Sequence, residues 1–215
     1  MKRKIYTQLV DWKNQEHHKP LILNGVRQCG KTYILKEFGL NEFDNLAYVS
    51  CDRNENLHAI YAGGFDTARI IRGLSALTGV DIIPGKTLIF LDEVQAFPQA
   101  LEALKYFCED APEYHIVVAG SLLGVALHAG VSFPVGKVQT MRLFPMDFEE
   151  FLMAMGEDQL LKLMHSKDYE LMNKPSAHYT ERNSLQLCQR LLQTCSYARG
   201  ATHRHGMAVY IGATI

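Results

Sequence analysis

Gly25-Val26-Arg27-Gln28-Cys29-Gly30-Lys31-Thr32 decides how this chain folds. The stretch satisfies G-x-x-x-x-G-K-[ST], in which small residues let backbone N–H groups curl around an anion while the following helix points its positive end at the same place. Such a loop needs a buried strand before it and a helix after it. Leu21-Ile22-Leu23, after Pro20, is a short apolar run suited to a buried strand. Ile34, Leu35 and Phe38 fall on one side of a helix that opens near Lys31, and Gly39 reads as its C-terminal stop. The amides from Arg27 through Gln28, Cys29 and Gly30 to Lys31 would then line a phosphate cradle that begins at Gly25 and Val26. Lys31 would reach the β and γ phosphates and Thr32 would set its hydroxyl on Mg²⁺, with Gly25 and Gly30 keeping the cradle open.

The same alternation repeats outward from this unit. Leu46 to Cys51 reads as a second strand, followed by a polar stretch and a helical pattern of Ile70, Ile71, Leu74 and Leu77 ending before Gly79. Thr87 to Leu91 is a third strand, and Pro98 opens a helix with the stripe Leu101, Leu104, Phe107 and Cys108. Tyr114 to Ala119 gives a fourth strand and Lys137 to Leu143 a weaker fifth. Strands separated by helices imply an α/β fold, a parallel sheet flanked by helices. Asp147 to Met155 reads as a capped helix, with Asp147 and Glu150 forming a capping box. After about Ser166 the pattern fades, apart from a helical period around Leu185 to Leu192.

The third strand ends in Asp92-Glu93. A carboxylate at a strand's C-terminal end, opposite a phosphate cradle, suits Mg²⁺ held through water, and Asp92 takes that role. Glu93 next to it suits a general base that orients water for attack on the γ phosphate, which favours hydrolysis over transfer to an acceptor. Ser121, at the end of the fourth strand, and Gln95 are polar groups within reach of the γ phosphate or the attacking water. Arg27, Arg69, Arg72 and Arg142 are the arginines of the core from which a neighbouring subunit would draw one to complete such a site, and the sequence does not choose among them.

Composition excludes more than it selects. With 47% hydrophobic and 21% charged residues in 215, the chain has ordinary globular usage, and one main domain is expected. A net charge of -1 gives no global attraction to nucleic acid or to an anionic membrane. No run approaches the roughly 18 apolar residues of a membrane helix. The five cysteines, Cys29, Cys51, Cys108, Cys188 and Cys195, form no C-x-x-C pair, so reduced thiols in cytoplasm are expected. Cys188, Cys195, His203 and His205 match no regular zinc spacing. Cys29 reads as a small residue filling a permissive position of the loop.

These residues carry a resemblance. K-P-L-I-L-N-G-V-R-Q-C-G-K-T, T-L-I-F-L-D-E-V-Q, L-K-Y-F-C-E-D-A-P-E-Y-H-I, A-G-S-L-L-G-V, S-F-P-V-G-K-V and F-P-M-D-F-E-E-F-L, in this order, make the chain similar to the prokaryotic AAA-type P-loop ATPases. Family members carry an uncharacterised domain after the nucleotide-binding core. The resemblance implies a RecA-like sheet in which the strand ending at Ser121 lies between the cradle strand and the Asp92 strand, and it implies ATP with Mg²⁺. It covers about residues 1–165, taken as the ATP-binding domain, and leaves 166–215 as an irregular or partly helical tail that looks like a truncated or frame-shifted product. Cys29 departs from the aliphatic residue usual in the family. The leading expectation is an ATPase that acts on a partner module or as a homo-oligomer. A nucleotide-gated binding module without turnover and a small-molecule kinase stand as alternatives, the kinase disfavoured by Asp92-Glu93.

Overall fold

Continuous apolar runs become strands here because both faces of the sheet are covered, so no position along them has to be polar. The computed structural model of the chain describes residues 3–121 and 134–166. In chain order these form α1 (Ile5–Lys13), β1 (Leu21–Gly25), α2 (Lys31–Glu42), β2 (Asn45–Ser50), α3 (Glu55–Tyr61), α4 (Thr67–Thr78), β3 (Thr87–Asp92), a 3₁₀ turn (Val94–Ala96), α5 (Pro98–Asp110), β4 (His115–Gly120), β5 (Gln139–Leu143), α6 (Phe148–Met155) and α7 (Asp158–Ser166). The expected helix around Leu185 to Leu192, the late cysteines and histidines, and the residues after Ser121 in A-G-S-L-L-G-V lie outside the described residues.

The strands form one sheet in the order β2-β3-β4-β1-β5. Every pairing is parallel, with Leu21 facing Val117 and Gln139, Leu88 facing His115, and Ser50 facing Asp92. The strand that ends at Ser121 therefore lies between the cradle strand and the Asp92 strand, as the resemblance implies.

Because side chains alternate along a strand, the sheet divides the core in two. Ile22, Ile89, Leu91, Ile116 and Val118 pack with Leu57, Ile70, Leu74, Leu104 and Phe107 from α3, α4 and α5. On the other face Leu21, Leu23, Leu88, Phe90 and Val117 pack with Leu9 and Trp12 from α1 and Ile34, Leu35 and Phe38 from α2. Local signals end several helices where the sequence places them. Gly79 caps α4 at φ 69°, Pro98 opens α5, and Asp147 and Glu150 form a reciprocal capping box on α6.

Two expectations need correction. Gly39 does not stop α2, which runs on to Glu42 and is capped at Phe43. A Cβ at Gly39 would lie 2.7 Å from Leu46 Cδ1 and 3.2 Å from Leu88 Cδ2, so this glycine brings the helix close to the sheet instead of ending it. The polar stretch after β2 holds a helix, α3, whose Leu57 and Tyr61 are buried.

The chain divides into two compact units, Met1–Glu157 and Asp158–Ile215. All the elements from α1 to α6 belong to the first, and α7 is the described element of the second. Among the described residues no helix is long and apolar enough to cross a membrane.

Beneath α1, the His18 and His115 rings stack at a 3.8 Å centroid separation, and Trp12 meets both edge-on. Burial, with a smaller contribution from His18 and then the Lys13 ammonium, lowers His115 to about 4, against acceptance of a hydrogen bond at the Lys13 carbonyl that works the other way. His18 is lowered as well, chiefly by burial. Because the folded pKa lies below the unfolded value of about 6.5, the unfolded chain takes up protons first. The contribution is fully present above about pH 6.5 and is lost as pH falls through about 4. Urea midpoints measured across this range should fall with acid in the wild type and fall less steeply in His115→Gln.

Candidate functional site

Parallel strands deliver their C-terminal ends to one edge of a sheet, and a crevice opens where the direction of chain crossing reverses. β1 is such a place, since β4 flanks it on one side and β5 on the other. At its end Gly25 is pressed against β5: a Cβ there would lie 2.5 Å from the Leu143 carbonyl oxygen and 2.9 Å from Cys29 Sγ. The Asn24 side-chain oxygen accepts a 2.7 Å hydrogen bond from Gly25 N–H and helps fix the turn. Gln28 at φ 63° and Gly30 at φ 96° then curl the loop through left-handed backbone before α2 begins at Lys31. Val26, Arg27 and Gln28 stay exposed while Cys29 and Lys31 are buried.

The Lys31 ammonium folds back inside this loop. It donates to the Gly25 carbonyl at 3.0 Å and the Val26 carbonyl at 2.9 Å, so its charge sits at the cradle's centre. Thr32 lies one residue into α2 and its Oγ1 donates to Asp92 Oδ2 at 2.7 Å. The two motifs, separated by the whole of β2, α3 and α4, thus meet through one direct hydrogen bond.

Asp92 is 4% exposed. Its Oδ1 accepts from Glu93 N–H at 3.0 Å, and its Oδ2 also receives Tyr48 OH at 3.5 Å. Glu93 sits at φ 52°, left-handed backbone unusual for a side chain of this size, and it opens the 3₁₀ turn. Gln95, within that turn, donates to Glu93 Oε2 and accepts from Ser121 N–H at 3.3 Å. A short relay therefore runs from Glu93 through Gln95 to the end of β4.

The surroundings register the carboxylates. Burial, then Asp92 and Glu93, push the Cys51 thiol up to about 12, and burial followed by Asp92 raises Tyr48. A field that discourages further negative charge favours a cation. Thr32 hydroxyl and Asp92 carboxylate oxygens are hard donors of the kind Mg²⁺ takes, already side by side, and the open glycine cradle faces the same edge. The residues present fit a phosphate anion with Mg²⁺.

The four arginines named from the sequence sit in different surroundings, although Arg69 and Arg72 share α4. Arg142 lies over the Phe144 ring at 5.1 Å, Arg69 donates to the Ala59 carbonyl at 3.2 Å, and Arg27 and Arg72 are exposed. Arg3, which sequence reasoning passes over, is buried beside the loop and donates to the Cys29 carbonyl at 3.2 Å. Tyr48 is a second residue missed. Neither carries a local motif, and Arg3 stands in the sequence only as one of three basic residues in Met1-Lys2-Arg3-Lys4.

Gly25→Ala gives a direct check of the cradle's geometry. The added methyl meets backbone of β5, which cannot rotate away, so the urea unfolding midpoint should fall by the equivalent of about 1–3 kcal/mol. An unchanged midpoint would mean that the loop does not approach Leu143 this closely.

No curated protein matches this chain. Among solved structures it is similar to a Walker-type ATPase of Pyrococcus abyssi, with 14% identity, a TM-score of 0.46, and coverage of 94% of this chain and 76% of that one. It is also similar to the ORC1 protein of Aeropyrum pernix in complex with DNA, with 16% identity, a TM-score of 0.43, and coverage of 73% and 48%. The sequence profile of the AAA domain matches residues 17–152 of the 215. That span begins just ahead of β1 and ends within α6, so it takes in the whole sheet and both halves of the cradle, and the chain belongs to the AAA domain family.

Proposed function

We propose that this chain binds Mg-ATP in the Gly25–Thr32 cradle and hydrolyses it, coupling turnover to conformational change in a partner module. The observation that carries the reading is the 2.7 Å hydrogen bond from Thr32 to Asp92, which joins the phosphate loop to the acidic strand end. On this reading the amides of Val26, Arg27, Gln28, Cys29, Gly30 and Lys31 bind phosphate oxygens, aided by the N-terminus of α2. Lys31 exchanges its two loop carbonyls for the β and γ phosphates. Thr32 and Asp92 would hold Mg²⁺, which when bound would neutralise charge gathering on the phosphates. Glu93 accepts a proton from the attacking water, and Gln95 and Ser121 hold the water or a γ-phosphate oxygen.

A second reading has its own support. Gln95 occupies one oxygen of the Glu93 carboxylate, so the base is engaged unless the 3₁₀ turn shifts. In that state the chain would act as a nucleotide-gated binding module, with ATP biasing a conformational equilibrium and little turnover. The domain limit near residue 165, a cytoplasmic location, and a homo-oligomer or partner protein as the responding element belong to this proposal.

Mg-ATP hydrolysis and binding of a fluorescent ATP analogue, measured side by side, test it. Lys31→Ala should weaken binding roughly 10- to 100-fold, as loss of hydrogen bonds to a charged group does. Glu93→Gln should keep binding and lower turnover by about 100-fold or more. Wild-type binding without any phosphate release would favour the gated module, and absence of binding would remove both readings.

A further inference from the structure

Arg3 is 8% exposed and its guanidinium touches three distant parts of the fold. Nη1 donates to the Cys29 carbonyl at 3.2 Å, Nη2 donates to the Phe144 carbonyl at 2.8 Å, and Nε lies 3.1 Å from Glu150 Oε2. Glu150, 6% exposed, is held in turn: its Oε1 accepts from Lys4 N–H at 2.9 Å and its Oε2 accepts from Asp147 N–H at 3.3 Å. Lys4 also pairs with Asp147 at 2.8 Å and with Glu149. Glu150, the N3 member of the α6 capping box, is thus the anchor for a charge that reaches the phosphate loop.

The consequence lies in the Cys29–Gly30 peptide. A trans peptide is planar and its C=O and N–H point in opposite directions. Pulling the Cys29 oxygen toward Arg3 therefore turns the Gly30 N–H to the other side, and Gly30 is one of the residues whose amides form the cradle. At Gly30 an added Cβ would sit 3.8 Å from Arg3 Nη1, so the guanidinium lies directly against this turn. An arginine suits the task because its planar fork can donate to two carbonyls while its charge lies against the Glu150 carboxylate, which a lysine ammonium on a single stem does less well.

We propose that Arg3, anchored by Glu150, is a positioning residue for phosphate binding, clasping the loop from behind so that the Gly30 amide is aimed before the ligand arrives. The proposal rests on the cradle's being a nucleotide site. Arg3→Lys keeps a cation against Glu150 and removes the fork. Affinities for Mg-ATP and for inorganic tripolyphosphate, which contacts the cradle alone, should both fall about tenfold in this variant, with the urea midpoint little changed. Glu150→Gln, which loosens the anchor but keeps its shape, should move both affinities the same way by a smaller factor, and it carries the test if Arg3→Lys fails to fold. Wild-type affinity in the folded variants overturns the clasp, as does a loss of stability with affinity intact. Failure of the wild-type chain to bind either ligand overturns the nucleotide reading itself, and the clasp with it.

Discussion

All five strands run parallel, and this single constraint brings the site together. With parallel pairing, Gly25, Asp92 and Gly120 end on the same edge although their strands are far apart in sequence. The order β3-β4-β1-β5 then puts β4 between the cradle strand and the acidic strand. Asp92 consequently meets Thr32 across the width of one strand, and Ser121 enters between them at the end of β4. An antiparallel strand at either position would send one of these groups to the opposite edge. The cost of this arrangement is a sheet that must be covered on both sides, which explains why α1 and α2 sit on one face and α3, α4 and α5 on the other.

The local features were legible because their causes are local. The loop from Gly25 to Thr32 follows from the chemistry of wrapping backbone around an anion, and Asp147 with Glu150 follows from the unpaired N–H groups that open a helix. Buried apolar runs gave β1 to β4 with ends shifted by one or two residues, and even the weak run to Leu143 is a strand.

What escaped the sequence is what depends on distance through space. Gly39 looks like a stop because glycine ends helices, yet here the reason for glycine is the approach of Leu46 and Leu88 from neighbouring strands. α3 is seven residues long and only Leu57 and Tyr61 are buried in it, too short a stripe to register as a period. Glu150 was legible as a cap, but its second role against Arg3 spans almost the full length of the first unit. Tyr48 reaches Asp92 only because β2 pairs with β3 in the register that sets Ser50 beside it.

The position of Lys31 bears on how tightly any phosphate can bind. Its ammonium already gives two of its three N–H donors to loop carbonyls, so on the proposed reading an anion that draws on more than the third donor has to replace hydrogen bonds that are present. For the two donors already in use the gain is only that between an anionic and a neutral acceptor, since the ammonium's bonds to the carbonyls are themselves charge-assisted. The carbonyls of Gly25 and Val26 lose their partner in the exchange. On the proposed reading, groups that need no rearrangement, the loop amides and the N-terminus of α2, carry a large share of the affinity. The orientation of each amide in the loop then matters alongside the lysine's charge, which is how contacts on the outer side of the loop would bear on binding within it.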